Sequence, residues 1–219
     1  MTPRQARVPE SQAGDSPTRP RVEGDREQEI LEATLDVLVE VGYDRLTLDA
    51  VATAAKASKA TLYRRWNGKA SLVVEALAHD KGPAPEPPDT GSLREDLREA
   101  YCGLGGLATP RQTALFGSII TAITTDAEFA AAFREVVVGP KIATARVIWE
   151  RAAARGEVSP DADLQVLEPA LAGILMHRAH LLGQPPTPDM VTRVIDAVIL
   201  PAARATTDSS TTPDQKDLS

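Results

Sequence analysis

A chain of 219 residues with 42% hydrophobic, 25% charged and 4% aromatic residues has the balance of a globular protein, long enough to bury one large core or two small ones. Its apolar runs fall short of the roughly 18 residues needed to cross a bilayer, its N-terminus lacks the apolar stretch of a signal peptide, and Cys102 is the only cysteine. Composition therefore predicts a cytoplasmic protein without membrane partner or internal disulfide, and a net charge of -7 argues against wrapping nucleic acid with the whole surface.

Residues 1–24 are rich in Pro, Ser, Gln and Gly and poor in apolar side chains, which predicts a disordered N-terminal tail. Its Arg4, Arg7, Arg19 and Arg21 either add sequence-independent DNA affinity or are simply solvated. From Asp25 a helical period sets in: Ile30, Leu31, Thr34, Leu35, Leu38 and Val41 share one stripe, and Gly42 is placed to end the helix. Thr47 then offers an N-cap to a short helix from Leu48 to about Ala55, with Leu48, Val51 and Ala52 inward. Ser58 offers the same to a third helix reaching Trp66, so that two short helices separated by about three residues form a helix-turn-helix backed by the first.

Asn67 and Gly68 break the third helix, and a fourth runs from near Lys69 to about His79. A Pro-rich loop follows and marks a boundary between a domain at 25–80 and one at 81–205. The second domain predicts helices at about 92–107, 110–124, 127–155 with a bend at Gly139-Pro140, 163–183 and 188–204. Residues 206–219 read as a second disordered tail. No stretch alternates like a strand, so the fold class is all-α: a three-helix helix-turn-helix domain plus a larger helical domain, about nine helices in all.

Charge is distributed unevenly. Between Tyr43 and Lys69 six basic residues face two acidic ones, a net of +4, whereas Ala70 to the C-terminus carries -7. One segment suits a phosphate backbone and the remainder does not. Within that segment Leu62 and Trp66, four apart, face inward, and Lys59, Ala60, Tyr63 and Arg64 lie on the other side. The major groove admits one α-helix, where Lys59 or Arg64 can donate to guanine and Ala60 or the Tyr63 ring can meet a thymine methyl.

The stretch LTLDAVATAAKASKATLYRRWNGKASLVVEAL resembles the DNA-binding domain of the TetR family of transcriptional regulators. The match rests on Thr47, Val51-Ala52, Ser58 to Tyr63, the aromatic Trp66 and Lys69. The stretches TGSLREDL, VVVGPKIATARVIWERAAARGEVSPDADLQV and GQPPTPDMVTRVID look more loosely like the regulatory domain of one branch of it. The resemblance implies Lys59, Ala60 and Tyr63 as base readers, joined on chemical grounds by Arg64. Phosphate contacts fall to Thr47, Ser58, Thr61, Arg65 and Lys69, since capping hydroxyls and N-H groups at helix N-termini favour an anion. Lys56 stands where the family usually has glycine; a left-handed lysine there costs roughly 1 kcal/mol, so the turn is either reshaped or strained.

The resemblance further implies a homodimer on palindromic operator DNA, released by an unknown small-molecule effector, with the last two helices pairing across subunits. Candidate interface residues are Leu171, Leu175, Leu182, Val191, Ile195 and Val198; the alternative is that such stripes fill an intramolecular core. Candidate pocket residues are Phe116, Trp149, Met176 and His180. His177 and His180 have metal-ligand spacing but no carboxylate or cysteine at helical spacing beside them, so they are assigned to pocket or interface; no metal or cofactor is expected. The absence of nucleophile, paired-carboxylate or nucleotide-binding motifs argues against an enzyme. The alternative reading is a helical protein-binding adaptor that uses the basic helix without sequence-specific DNA recognition.

Overall fold

The computed structural model describes residues 23–82, 85–102 and 109–205. Most of the two expected tails, residues 1–22 with their four arginines and residues 206–219, lies outside the described residues. Helix α1, Glu23–Val41, starts two residues ahead of the expected position and buries Ile30, Leu31, Thr34, Leu35 and Leu38 along one face. Buried Thr34 is tolerated because its hydroxyl donates to the Ile30 carbonyl at 2.7 Å. Helices α2 (Leu48–Ala54) and α3 (Lys59–Arg65) are each started by the expected hydroxyl: Thr47 accepts from the Ala50 N-H and Ser58 from the Thr61 N-H, both at 3.1 Å. Helix α4 spans Lys69–Lys81.

The second half holds α5 (Leu93–Cys102), α6 (Pro110–Thr125), α7 (Ala127–Phe133), α8 (Gly139–Ala154), α9 (Leu164–Met176), α10 (Pro188–Val194) and α11 (Leu200–Arg204). One-turn π segments at Arg134–Val138 and Ile195–Ile199 join α7 to α8 and α10 to α11, and a third, His177–Leu181, extends α9. Counted as continuous rods, the described residues form nine helices without strands. The end of the expected 92–107 helix, residues 103–107, lies outside the described residues.

Both joining π turns have one cause. Pro140 and Pro201 each follow one by two residues, and a proline ring in a helix clashes with the carbonyl four residues back and lacks the N-H that would bond it. Widening the preceding turn, with Gly139 N-H reaching Arg134 and Leu200 N-H reaching Ile195, makes room. At the expected Gly139-Pro140 bend the helix thus continues through a wider turn.

Two apolar cores result. The first joins α1 to α4 around Leu38, Val51, Leu62 and Leu72, and extends beyond the linker to Leu115, Ala122, Phe129 and Val137 of α6, α7 and the π turn. The second gathers α5, α8, α9 and the C-terminal helices around Leu93, Trp149, Leu171 and Ile195. Burial there changes the view of the dimer candidates. Leu171, Leu175, Val191 and Ile195, each 3% exposed or less, fill the protomer's own second core and have no surface to offer a partner. Leu182 and Val198 are 50% and 44% exposed, and Val166, Met176 and Leu181 nearby in the chain along α9 and its π extension are exposed as well.

Candidate nucleic-acid interface

The turn between α2 and α3 is a Schellman motif: Ala57 N-H bonds the Ala52 carbonyl at 2.8 Å and Lys56 N-H bonds that of Thr53 at 3.1 Å. This motif puts its C′ residue in the left-handed region, and here that residue is Lys56, with φ 51°. The turn therefore keeps its geometry and the lysine is strained. The same motif closes α8, where Gly156 occupies the equivalent place at φ 76°. Arg26, on the first turns of α1, donates to the Lys56 carbonyl at 2.5 Å and braces the strained residue.

Packing fixes how α3 presents itself. Leu62 and Trp66 are buried as expected, each burial worth about 2 kcal/mol, and the Trp66 indole N-H donates to Glu75 of α4 at 2.8 Å. Lys59, Ala60, Tyr63 and Arg64 are consequently exposed, Tyr63 at 61%. Ser58 and Thr61 pair their hydroxyls at 2.7 Å beside the α3 N-terminus, with Thr47 exposed at the N-terminus of α2. These seven residues offer capping hydroxyls, cations and an aromatic edge on the outer side of the motif.

The remaining two cations are held within the protein. Arg65 donates to Glu27 and Glu75, both at 2.7 Å, and lies over the Trp66 ring at 5.2 Å. Its hydrogen bond holds the Glu27 carboxyl below the usual range. Lys69 donates to the Tyr43 carbonyl at 3.2 Å and sits 4.3 Å above the Tyr43 ring. Arg64, by contrast, has no partner among the described residues. Sequence reading also missed Asp49, which lies 2.5 Å from the Lys59 ammonium and pushes it above the ordinary lysine range. An acid in the first turn of α2 was the only sequence signal, and helix-dipole preference explains that equally well.

The motif is fastened to the helical body. Buried Tyr43 packs on Phe129 at 4.9 Å, and its hydroxyl reaches Asp126 at the α7 N-terminus. Ser118 of α6 donates to the Leu38 carbonyl at 3.3 Å, and an open groove of about 480 Å³ runs between Gly42-Tyr43 and Gly117-Ser118.

None of the four pocket candidates lines that groove. Phe116 and His180 do meet, their rings stacked at 3.7 Å, with His180 Nδ1 buried and without a hydrogen-bond partner among the described residues. Trp149 is core, and Met176 is 41% exposed on the outward surface.

A family model described as "Bacterial regulatory proteins, tetR family" matches residues 30–76, and one described as "Tetracyclin repressor-like, C-terminal domain" matches residues 87–198. The chain is 40% identical over 201 residues to an uncharacterised HTH-type transcriptional regulator of Mycobacterium tuberculosis, covering 90% of this chain and 97% of that one. It is 36% identical over 176 residues to the DNA-binding transcriptional repressor TetR of Mycobacteroides abscessus, covering 80% and 92%. The crystal structure of the TetR family transcription regulator SCO0332 superimposes with a TM-score of 0.61 at 29% identity, covering 80% of this chain and 97% of that one.

Proposed function

The chain belongs to the TetR family of helix-turn-helix transcriptional regulators, and on that premise we propose that it is a ligand-responsive repressor binding a palindromic operator in the cytoplasm as a homodimer. The observation that carries this reading is the exposed set on α3, Lys59, Ala60, Tyr63 and Arg64, beside the capping hydroxyls of Thr47 and Ser58 and the Thr61 hydroxyl paired with Ser58. A recognition helix of this make-up reads base edges with the former and fixes register on phosphates with the latter. Lys69 and Arg65 join the phosphate contacts by leaving their internal partners. The similarity to a named repressor supports repression over activation.

Dimerisation in this reading uses Val166, Met176, Leu181, Leu182 and Val198, exposed apolar side chains of the last two helical rods and the turn between them. The effector binds beside the Phe116–His180 stack, where a planar molecule with a polar group would supply His180 Nδ1 with its missing partner. Because α6 and α7 share a core with α1 and α4, a shift there reaches the spacing of the two recognition helices.

Selection of a duplex from a random pool, followed by binding of the selected and scrambled sequences, tests the proposal. Tyr63→Ala should remove at least about tenfold of the preference for the selected duplex while the dimer persists. Retained preference overturns the base-reading assignment; binding that lacks sequence preference and vanishes at moderate salt favours the protein-binding adaptor. Thermal-shift screening of small molecules, with hits tested for operator release, identifies the effector.

A further inference from the structure

Asp49 lies in the first turn of α2, beside the Thr47 cap, and its carboxylate is divided between two side chains of α3. Oδ2 is 2.5 Å from the Lys59 ammonium, and Oδ1 accepts from the Tyr63 hydroxyl at 3.5 Å, the outer limit of a hydrogen bond. Lys59 and Tyr63 are four residues apart, so one carboxylate spans one turn of the exposed face of α3. These are the two longest side chains among those assigned by resemblance to base reading, and the inference rests on that assignment.

A surface carboxylate here acts in two ways. A lysine ammonium on four rotatable bonds can meet any nearby phosphate, and tethering it to Asp49 restricts it to a small range of positions. The negative charge also opposes every duplex alike, whatever its sequence. Both effects lower sequence-independent attraction, while the tether holds two donors in a fixed relation that few base sequences can match. The pair is exposed on both sides, Lys59 at 63% and Asp49 at 47%, so it contributes little to folding and its removal leaves the motif intact.

We infer that Asp49 is a positioning residue for sequence discrimination, holding Lys59 and Tyr63 in the arrangement that reads the operator and weakening binding to all other DNA. It touches α3 and has no base-reading role of its own in this proposal.

The test uses the full chain as wild type, Asp49→Asn, Asp49→Ala, Lys59→Ala and the Asp49→Ala/Lys59→Ala double variant, each checked for helicity by circular dichroism. The probes are a duplex of about 20 bp enriched by the wild type from a random pool and a scrambled duplex of equal composition, titrated from about 50 to 200 mM salt. Both Asp49 variants should bind the scrambled duplex about 3- to 10-fold more tightly at low salt, with a salt slope steeper by about one per bound protomer. Their preference for the enriched duplex should drop by about tenfold, and that drop should shrink when Lys59 is absent. A preference unchanged in both folded Asp49 variants, or a drop of equal size with and without Lys59, overturns the proposal. A wild type that enriches no sequence overturns the reading of α3 itself, and the role of Asp49 with it.

Discussion

The hydroxyl of Tyr43 donates to Asp126 Oδ2 at 2.7 Å, tying the corner after α1 to the first residue before α7, 83 positions later in the chain. Burial and then the hydrogen bond to the Asp126 carboxylate push the Tyr43 phenol far above its ordinary range. Asp126 also accepts from the Phe129 N-H at 3.0 Å, so one carboxylate caps α7 and receives the phenol at once. The start of α7 and the corner of the helix-turn-helix unit are therefore joined through one residue.

Removing the hydroxyl alone should therefore be mild and removing the acid more costly. Tyr43→Phe keeps the ring against Phe129 and loses one charge-assisted hydrogen bond, an expected loss of about 1–2 kcal/mol. Asp126→Ala loses that bond and an N-cap, about 2–3 kcal/mol. Urea denaturation measures both, and equal losses would mean that the cap contributes nothing.

Lys56 makes the opposite prediction. Its φ of 51° is natural to glycine and strained for lysine, so Lys56→Gly should raise stability by up to about 1 kcal/mol, net of the greater freedom glycine gives the unfolded chain. Lys56→Ala keeps the strain and should show no such gain. If operator affinity falls equally in both variants while only glycine stabilises, the ammonium contacts DNA independently of the turn.

Asp96 supplies the pH dependence. It is fully buried, accepting from the Thr90 N-H and hydroxyl, both at 2.6 Å, and from Arg155 at 3.1 Å. Burial pushes its carboxyl up, but Thr90 and Arg155 more than offset this and hold it below the ordinary carboxylate range. A depressed folded value means that its stabilisation is fully present above about pH 4 and is lost as pH falls through the folded value. Denaturation midpoints should fall steeply below about pH 4, and Asp96→Ala should be about 3 kcal/mol less stable at neutral pH with a shallower acid limb. An unchanged acid limb would assign the acid sensitivity to other carboxylates.

Much of the motif was legible because its signals are local. A hydroxyl at Thr47 or Ser58 caps the helix that follows it, Leu62 and Trp66 reveal their face by spacing, and a lysine in a glycine position announces strain wherever the backbone keeps its turn. The partners of Arg65, Lys69 and Lys59 were not legible, since Glu27, Tyr43 and Asp49 reach them only after α1, α2 and α4 have packed. Inside and outside were confused on α9 and α10 for a different reason. Helix α9 is apolar around most of its circumference, so periodicity names no single buried face there, and the π turns at 177–181 and 195–199 shift the phase partway along both rods.

That phase error yields the sharpest test of the dimer. If the outward residues pair across subunits, Val166→Glu and Val198→Glu place charges on a surface that the protomer leaves open, so each chain should still fold. Dimerisation should weaken by at least about tenfold in sedimentation, because an interface core excludes unpaired charge, and operator affinity should fall with it. Leu175→Ala should behave in reverse. Buried at 3% exposure in the second core, it should cost about 2–5 kcal/mol of protomer stability and leave the dimer constant of the folded fraction nearly unchanged. Val198→Glu remaining a tight dimer would remove this surface from the interface.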